Sequence, residues 1–332
     1  MELYLFRHEE YLRLYNCSSK TQKEWNQIFP SNLLFGLFSI ITGTLYTILY
    51  IPVLNVMWTP DIFKQSCFKI MFYFGVIDFI CIFINCFLTG IFSIEGAVPC
   101  SHMDLIYVTG SLATGLWPSQ CLTCVILALN RCIDITKPWL TETLFQGYRI
   151  LFWIVPIILY MLYFVFLTPP VLFSSLGYAW FFDPYIGIPE IETDKSYYVN
   201  YAVGLNNTAD IVILFSLHVY LFSALWYKTR KYSTTSMATM QIKASLVCLI
   251  NFTAGAIYSY MNFIGAPPFL IIIGQIAWQF SNGGVVIIYI TMNKTIRNGV
   301  LKTLFPKAWK GSSVQGQSRQ CPVSSTNNSP RI

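Results

Sequence analysis

The sequence predicts an all-α integral membrane protein, a bundle of seven transmembrane helices with its amino terminus outside and its carboxyl terminus in the cytosol. Hydrophobic residues make up 55% of the 332 residues and charged residues only 11%, whereas soluble domains carry about a quarter charged residues. The apolar residues also fall in long runs. About 20 apolar residues suffice for a helix to cross the roughly 30 Å hydrocarbon core of a bilayer.

Seven such runs follow the first 32 residues, which are polar and lack the apolar core of a cleavable signal peptide. We therefore assign residues 1–32 to an extracellular tail and residues 33–292 to the bundle. The predicted spans are residues 33–57, 68–92, 105–135, 150–173, 201–227, 242–264 and 268–292. The third is the longest, and Pro118 predicts a kink within it.

The distribution of Lys and Arg sets the predicted orientation. With the amino terminus outside, 16 of the 21 basic residues fall in the inner connections and the carboxyl-terminal part, and five remain outside. The longest outer connection, residues 174–200, carries four acidic residues against Lys195. This asymmetry follows the positive-inside rule, and the odd number of spans places the carboxyl terminus in the cytosol.

Residues 293–309 predict a short amphipathic helix after the seventh span. One apolar stripe contains Ile296, Val300, Leu301, Leu304 and Phe305, and basic residues occupy the opposite face. A helix of this kind lies along the anionic inner leaflet. Residues 310–332 are rich in Ser, Gln and Asn, so we predict a disordered cytosolic tail.

Three polar residues inside the spans predict an intramembrane network: Asp78, Asn85 and Asn282. A carboxyl group in mid-membrane is costly unless it faces the interior of the bundle. Asn85 follows Asp78 by seven residues and is expected on nearly the same helical face. Either the two share a functional network or a cation site, or Asp78 is a protonated carboxyl group that is hydrogen-bonded between helices.

Polar and aromatic residues in the outer halves of the spans are candidates for a small-molecule pocket, because such sites combine aromatic walls with a few polar groups. These candidates are Tyr107, Ser111, Trp117, Asp210, Gln275, Trp278 and Gln279. Asp210 either binds a cationic group of a ligand or caps and hydrates the outer turn of the fifth span. For each of the others taken alone, ordinary helix packing is the alternative.

Two outer cysteines, Cys17 and Cys100, are candidates for a disulfide bond, because both lie in the compartment where disulfides form. Spacing alone does not establish that they meet. Asn16-Cys17-Ser18 is a glycosylation sequon on the outer tail, so Asn16 is the candidate glycosylation site.

No residue pattern predicts catalysis, a metal site or a cofactor. His8, His102 and His218 are scattered without the spacing of metal ligands. Neither a phosphate-binding glycine loop nor a nucleophile elbow is present. We therefore predict a protein that is not an enzyme, with neither a cofactor nor a nucleic-acid partner.

Several landmarks resemble those of G-protein-coupled receptors. The matching residues are Asp78, Asn130, Arg131, Cys132, Pro138, Trp153 and Tyr289. Arg131 ends the third span where these receptors carry an Asp/Glu-Arg-Tyr motif, and the resemblance implies a G-protein switch made of Asn130, Arg131, Cys132, Pro138 and Tyr289. Asn130 departs from the pattern, because an amide cannot form the ion pair that an acidic residue forms with the arginine.

A narrower resemblance is to the class T serpentine receptors, a family of nematode chemoreceptors, over roughly residues 15–305. It rests on short motifs in the same order along the chain: Tyr15-Asn16-Cys17-Ser18, Glu24-Trp25, Leu49-Tyr50-Ile51-Pro52, Ser66-Cys67-Phe68-Lys69-Ile70-Met71, Leu144-Phe145-Gln146-Gly147-Tyr148-Arg149 and Trp180-Phe181-Phe182-Asp183-Pro184. The family is inferred to sense chemicals in ciliated neurons. The resemblance implies a receptor class and leaves the ligand open.

Together, the residues and the resemblance predict a multi-pass receptor of the plasma membrane, with the ciliary membrane of sensory neurons as its expected place. It would bind an unidentified small molecule from outside and activate a heterotrimeric G protein. The lipid membrane is its other predicted partner, and a receptor oligomer is left open. The alternative is a seven-span ligand-gated channel or transporter, which the lack of internal repeats disfavours. A third reading is a receptor-fold protein that acts only in assembly or trafficking.

Overall fold

A computed structural model describes residues 1–188, 190–191, 194–232, 248–249, 251, 253–257 and 267–305. Within these ranges the chain is mostly helical, and the predicted all-α class is confirmed. The predicted sixth span, residues 242–264, lies mostly outside the described residues, and the part inside them is helical. The predicted tail over residues 310–332 lies outside them entirely.

The described helices are numbered in chain order. They are α1 (Glu2–Phe6), α2 (His8–Leu14), α3 (Gln22–Trp25), α4 (Leu33–Met57), α5 (Pro60–Phe63), α6 (Ser66–Ile82), α7 (Thr89–Glu95), α8 (Met103–Thr136), α9 (Pro138–Phe145), α10 (Leu151–Leu167), α11 (Tyr201–Tyr232), α12 (Pro268–Met292) and α13 (Lys294–Leu304). A π-helical segment, Phe83–Leu88, joins α6 and α7 into one span. In the described part of the chain, six spans are long and apolar enough to cross a membrane: α4, α6–α7, α8, α10, α11 and α12.

The spans pack around α8, the longest helix. It contacts α6, α10 and α11, while α4 contacts α6, α7 and α12. The helix continues through Pro118, so the proline does not end it. Glycines bring α4 and α7 close, because a Cβ on Gly36 would lie 2.7 Å from the Gly90 carbonyl oxygen. Small residues at such crossings are common between membrane helices.

The fourth span is shorter than its predicted range of 150–173, because two prolines follow it. α10 ends at Leu167, and Pro169-Pro170 cannot continue the helical hydrogen bonds. The chain then forms a short antiparallel hairpin of β1 (Leu172–Ser174) and β2 (Ala179–Phe181). The end of the predicted span therefore belongs to a buried hairpin, which an apolar run alone does not distinguish from a helix end.

The two ends of the bundle differ in what covers them. The cap end carries α1–α3, the β1–β2 hairpin and the 3₁₀ helices Pro99–Ser101 and Lys195–Tyr198, whereas the opposite end, the Arg131 end, carries α5, α9 and α13. The first 32 residues fold onto the cap end, and Tyr11, Tyr15 and Trp25 are buried there. The sequence prediction of a simple tail missed this cover because these aromatic residues are interspersed with polar ones.

α13 follows α12 at the Arg131 end. The Asn293 side chain caps it by accepting hydrogen bonds from the backbone amides of Thr295 and Ile296. Ile296 and Val300 are buried against the bundle, while the remaining apolar residues of the stripe stay exposed: Leu301, Leu304 and Phe305. The described helix ends at Leu304, and residues 306–309 of the predicted range lie outside the described residues.

Gly110 is where the segment after α10 presses against α8. A Cβ on Gly110 would lie 1.7 Å from the carbonyl oxygen of Val171, and the Val171 amide is also held by Thr114 Oγ1 at 2.9 Å. Gly110→Ala is therefore expected to lower stability by about 1–3 kcal/mol, as overpacking does. Thermal unfolding of the purified protein in detergent measures the effect.

Gly204→Ala is the matched control. Gly204 lies in α11 and a Cβ there would meet no atom within 4 Å, so alanine should be neutral or stabilise the helix by about 0.5–1 kcal/mol. Equal losses in the two variants would contradict the close contact assigned to Gly110.

Candidate functional site

A polar network at the centre of the bundle joins α4, α6, α8 and α12. Its hub is Asp78, whose carboxyl oxygens accept hydrogen bonds from the Tyr50 hydroxyl at 2.8 Å and from Gln120 Nε2 at 2.7 Å. Gln120 also donates to Asn282 Oδ1, and Tyr50 donates to the Asn282 carbonyl oxygen at 2.8 Å. All four side chains are buried. Buried polar groups that are hydrogen-bonded across helices in this way fix the relative positions of those helices.

Asn85 joins this network through the seventh span. Its Nδ2 donates to the Trp278 carbonyl oxygen at 3.3 Å, which also accepts from Asn282 Nδ2 at 2.8 Å. No hydrogen bond links Asn85 to Asp78 directly within the described ranges. The reason is the π-helical segment, because a π turn changes the angular spacing on which the expected common face depends. The two residues thus share a network without sharing a contact.

The π-helical segment also accepts hydrogen bonds from two residues that were predicted to line the pocket, Gln275 and Gln279. The Asn85 carbonyl oxygen accepts hydrogen bonds from Gln275 Nε2 at 3.2 Å and from Gln279 Nε2 at 2.8 Å. Gln279 also donates to Ser39 Oγ at 3.0 Å. A π bulge disturbs the regular backbone ladder, and the two glutamines bind the carbonyl group at that point. Their contacts therefore hold α12 against the first two spans.

The Arg131 guanidinium is buried, with 6% of the residue exposed. Its Nη2 donates to the sulfur of Cys67 in α6, so the third span is joined here to the second. Asp134 lies one turn farther along α8 and is half-buried. Asn130 is also buried, and its Nδ2 has no hydrogen-bond partner in the part of the chain that the structure describes. Cys67 is thus a hydrogen-bond partner of Arg131, and the sequence analysis had assigned no residue to that role.

The other predicted switch residues surround this end of α8. The Cys132 thiol donates to the Leu217 carbonyl oxygen of α11 at 3.5 Å. Pro138 is the first residue of α9, where a proline costs no helical hydrogen bond. Tyr289 is buried in α12, and its hydroxyl has no partner among the described residues. These residues lie at one end of the bundle, and only Arg131 contacts the second span through a side-chain hydrogen bond between described groups.

A second polar cluster lies nearer the cap end, between α8, α10 and α11. Trp117 Nε1 donates to Asn207 Oδ1 at 2.7 Å, and Asn206 Nδ2 donates to the same oxygen at 3.2 Å. The Tyr160 hydroxyl donates to Asn206 Oδ1 at 3.0 Å. Asp210 follows one turn later on α11 and is buried. Trp117 and Asp210 are therefore brought to one region of the bundle, and their assignment to a pocket stays a prediction.

Tyr107 and Ser111 do not join that cluster. Tyr107 packs beneath the amino-terminal helices, with ring centroids 4.9 Å from Tyr11 and 5.0 Å from Tyr15. Ser111 Oγ donates to the Tyr107 carbonyl oxygen within α8 at 2.8 Å. The contacts of both residues are those of packing, which was the alternative that the sequence left open.

The cover over the cap end is held by a disulfide bond between Cys17 and Cys100, whose Cα atoms are 5.4 Å apart. The Tyr185 hydroxyl donates to the Asn16 carbonyl oxygen at 2.9 Å. Burial raises the pKa of Tyr185 to about 12, so this phenol remains a hydrogen-bond donor at neutral pH. The Asn16 side chain is exposed and accepts only from the Ser18 amide among the described groups, at 2.9 Å. The candidate glycosylation site is thus accessible.

The sequence analysis assigned no part in these networks to Tyr50, Cys67 or Gln120. Gln120 carried a usable signal, because an amide in the middle of an apolar run must find a partner inside the bundle. Tyr50 and Cys67 carried none, since tyrosine and cysteine are ordinary packing residues of membrane helices. In the described ranges, no group of three or more His, Cys, Asp or Glu side chains is arranged to hold a metal ion.

The helix arrangement is that of the rhodopsin-type seven-helix bundle. Squid rhodopsin superposes with a TM-score of 0.62 over 96% of this chain and 93% of that chain, at 12% sequence identity. At this identity the similarity establishes the fold alone.

The sequence comparisons identify the family to which the chain belongs within this fold. Residues 2–313 match the family described as Serpentine type 7TM GPCR chemoreceptor Srt. Serpentine receptor class T-55 of Caenorhabditis elegans is 25% identical over 300 residues, which cover 87% of this chain and 80% of that protein. The chain belongs to the Srt family of serpentine chemoreceptors, as the resemblance in the sequence predicted.

Proposed function

We propose that this protein is a chemosensory receptor of the plasma membrane, placed in the ciliary membrane of sensory neurons, that binds a small molecule from outside and activates a heterotrimeric G protein. The observation that carries the proposal is the buried Arg131 at the end of the third span, joined by a hydrogen bond to Cys67 of the second. A buried guanidinium is costly without partners. Its position at the bundle end suits a group that changes partners when the end opens.

The orientation belongs to the same proposal, with the cap end outside and the Arg131 end in the cytosol. The cap end carries the disulfide bond and the exposed sequon at Asn16, and both features suit an extracytoplasmic compartment. The Arg131 end carries most of the basic residues of the described connections, as the positive-inside rule requires. The half-exposed apolar face of α13 would rest on the inner leaflet.

The proposed mechanism is a shift between two arrangements of the bundle. A ligand shifts such an equilibrium only by the difference between its affinities for the two states. Trp278 bonds to Asn282, and Gln120 donates to both Asn282 and Asp78, which gives a continuous hydrogen-bonded route from the pocket region toward the middle of the bundle. The Arg131–Cys67 contact is the element expected to break in the active arrangement. Because Asn130 is neutral, no ion pair with it opposes that step.

Arg131→Ala is expected to reduce ligand-evoked G-protein activation at least about tenfold, while the protein still reaches the cell surface. The measurement is second-messenger output in a reporter cell expressing the receptor and challenged with a chemical library, together with surface labelling. Arg149→Ala is the matched control, because Arg149 lies exposed at the same end and its Nη1 bonds only to the Thr143 carbonyl oxygen among described groups, at 2.9 Å.

A full evoked signal in Arg131→Ala would contradict the proposed switch. A ligand-evoked ion current that persists without any G protein would contradict the receptor function and favour the channel reading. Second-messenger output and ion current, measured in the same cells, therefore distinguish a receptor from a channel.

A further inference from the structure

Asp210 is a buried carboxyl group that the central network does not use. It lies on α11 with 5% of the residue exposed, and its Oδ1 has no hydrogen-bond partner in the described part of the chain. Leaving a buried polar atom without a partner costs about 1–3 kcal/mol, and more when the group is charged. A group kept in that condition within a membrane bundle suits a partner that arrives from elsewhere.

The neighbours of Asp210 on α8 and α11 include a thiol and two amides. The Cys121 thiol of α8 faces the carboxyl group. One turn earlier on α11, Asn207 Oδ1 accepts from Trp117 and from Asn206. These amides thus bond to groups other than Asp210, and Asp210 is the acidic group of the cluster.

Four basic side chains at the cap end pair with other acidic groups. Lys20 pairs with Glu190 at 2.5 Å, and Lys195 lies 3.9 Å from Asp183. Arg7 and Arg13 both pair with Glu10. No ion pair to Asp210 occurs between described residues, so the cation that would match it is not supplied by these parts of the chain.

Trp117 supplies aromatic surface near Asp210, because it bonds to Asn207 one turn away on α11. Trp117 and Trp278 belong to the same apolar cluster, and Trp278 Nε1 has no hydrogen-bond partner in the described ranges. Gly255, on the sixth span, leaves space beside Trp117, because a Cβ there would meet only Trp117 Cζ2, at 3.7 Å. Indole faces attract organic cations as well as apolar groups.

We propose that Asp210 is the ligand anchor of this receptor and that its ligands are small organic amines, whose protonated nitrogen pairs with Asp210 while the carbon skeleton packs between Trp117 and Trp278. This inference rests on the proposed function and adds the chemical class of the ligand to it. Amines with aromatic or branched alkyl skeletons fit best, because the cluster offers one acidic group and the indole rings of Trp117 and Trp278 belong to one apolar cluster.

The test uses the full-length receptor purified in detergent and a panel of primary amines: isopentylamine, 2-phenylethylamine and tryptamine, each with its alcohol counterpart. Binding is measured by ligand-dependent thermal stabilisation, since a ligand that binds the folded state raises the unfolding temperature. At least one amine is expected to stabilise the wild type, with its alcohol at least about tenfold weaker. Asp210→Asn is expected to weaken that amine at least tenfold and to leave its alcohol unchanged.

Two controls keep the result specific. Asp194→Asn removes a carboxylate that caps the 3₁₀ helix Lys195–Tyr198 at the same end, and asparagine preserves that cap; it should leave amine binding unchanged. Asp210→Glu retains the charge and should recover part of the affinity if the side chain acts as an anchor. It should recover none if Asp210 only fills space.

Absence of stabilisation by every amine would overturn the inference, as would equal binding of amines and alcohols or unchanged amine binding in Asp210→Asn. These outcomes leave the receptor function intact, because an evoked G-protein signal is measured separately in cells. Conversely, amine binding that depends on Asp210 without any G-protein signal would support the anchor and contradict the proposed function.

Discussion

Replacing both Cys17 and Cys100 by serine is expected to destabilise the protein by about 2–4 kcal/mol and to strip the cap end of its cover. The two cysteines are separated by 83 residues, and cross-links that close long loops restrict the unfolded chain most. The bond also fixes the segment from which the Asn16 carbonyl oxygen accepts the Tyr185 hydroxyl. Thermal unfolding in detergent measures the loss, and limited proteolysis within residues 1–32 measures the release of the cover.

A reducing agent provides the matched comparison. The remaining described cysteines are buried within the bundle, so a reductant should lower the unfolding temperature of the wild type toward that of the double serine variant and leave that variant unchanged. If the reductant shifts both proteins equally, the stability does not come from the Cys17–Cys100 bond.

Asp78→Ala is expected to cost about 1–3 kcal/mol and to reduce ligand-evoked signalling at least tenfold. The change removes the acceptor shared by Tyr50 and Gln120. Both donors retain a second acceptor on Asn282, which keeps the loss moderate. Hydrogen bonds between membrane helices are individually worth about 0.6 kcal/mol and up to about 1.7, so two of them account for the expected range.

A double-mutant cycle with Tyr50→Phe isolates the contact. If the hydroxyl acts through Asp78, the losses of Asp78→Ala and Tyr50→Phe should add to more than the loss of the double variant. Thr123→Val serves as the control, because the Thr123 hydroxyl donates to the Ser119 carbonyl oxygen of its own helix at 2.6 Å. Additive losses for Asp78 and Tyr50 would contradict a shared network.

The fold was largely predictable because hydrocarbon imposes a simple rule on the chain. Long apolar runs must be helices, and the predicted bounds of the first and seventh spans, residues 33–57 and 268–292, agree with α4 and α12. The end of the fourth span was not predictable in the same way. Hydrophobicity alone does not distinguish an apolar hairpin from an apolar helix end. Only the position of Pro169-Pro170 indicates that the helix stops before them.

The contacts of the candidate site were less predictable than the residues. Asp78 and Asn282 are recognisable in the sequence as polar residues in apolar runs. Which helix each one contacts, however, depends on the rotation of every helix about its axis. The π-helical segment shows the difficulty, because it redirects Asn85 toward α12 and its sequence, Phe83–Leu88, contains no proline or glycine to signal it. Cys67 was missed since a thiol partner for an arginine has no motif.

The disulfide bond at the cap end also constrains how the receptor is made. A bond between Cys17 and Cys100 requires both residues on the same side of the bilayer, and α4 and the α6–α7 span are the two crossings that separate them. Their number is even, as this condition demands. Cys100 becomes available for oxidation only after the second crossing has been inserted by the translocon. In the proposed orientation, with the cap end outside, the amino-terminal cover is therefore sealed only after the first helical hairpin is in place.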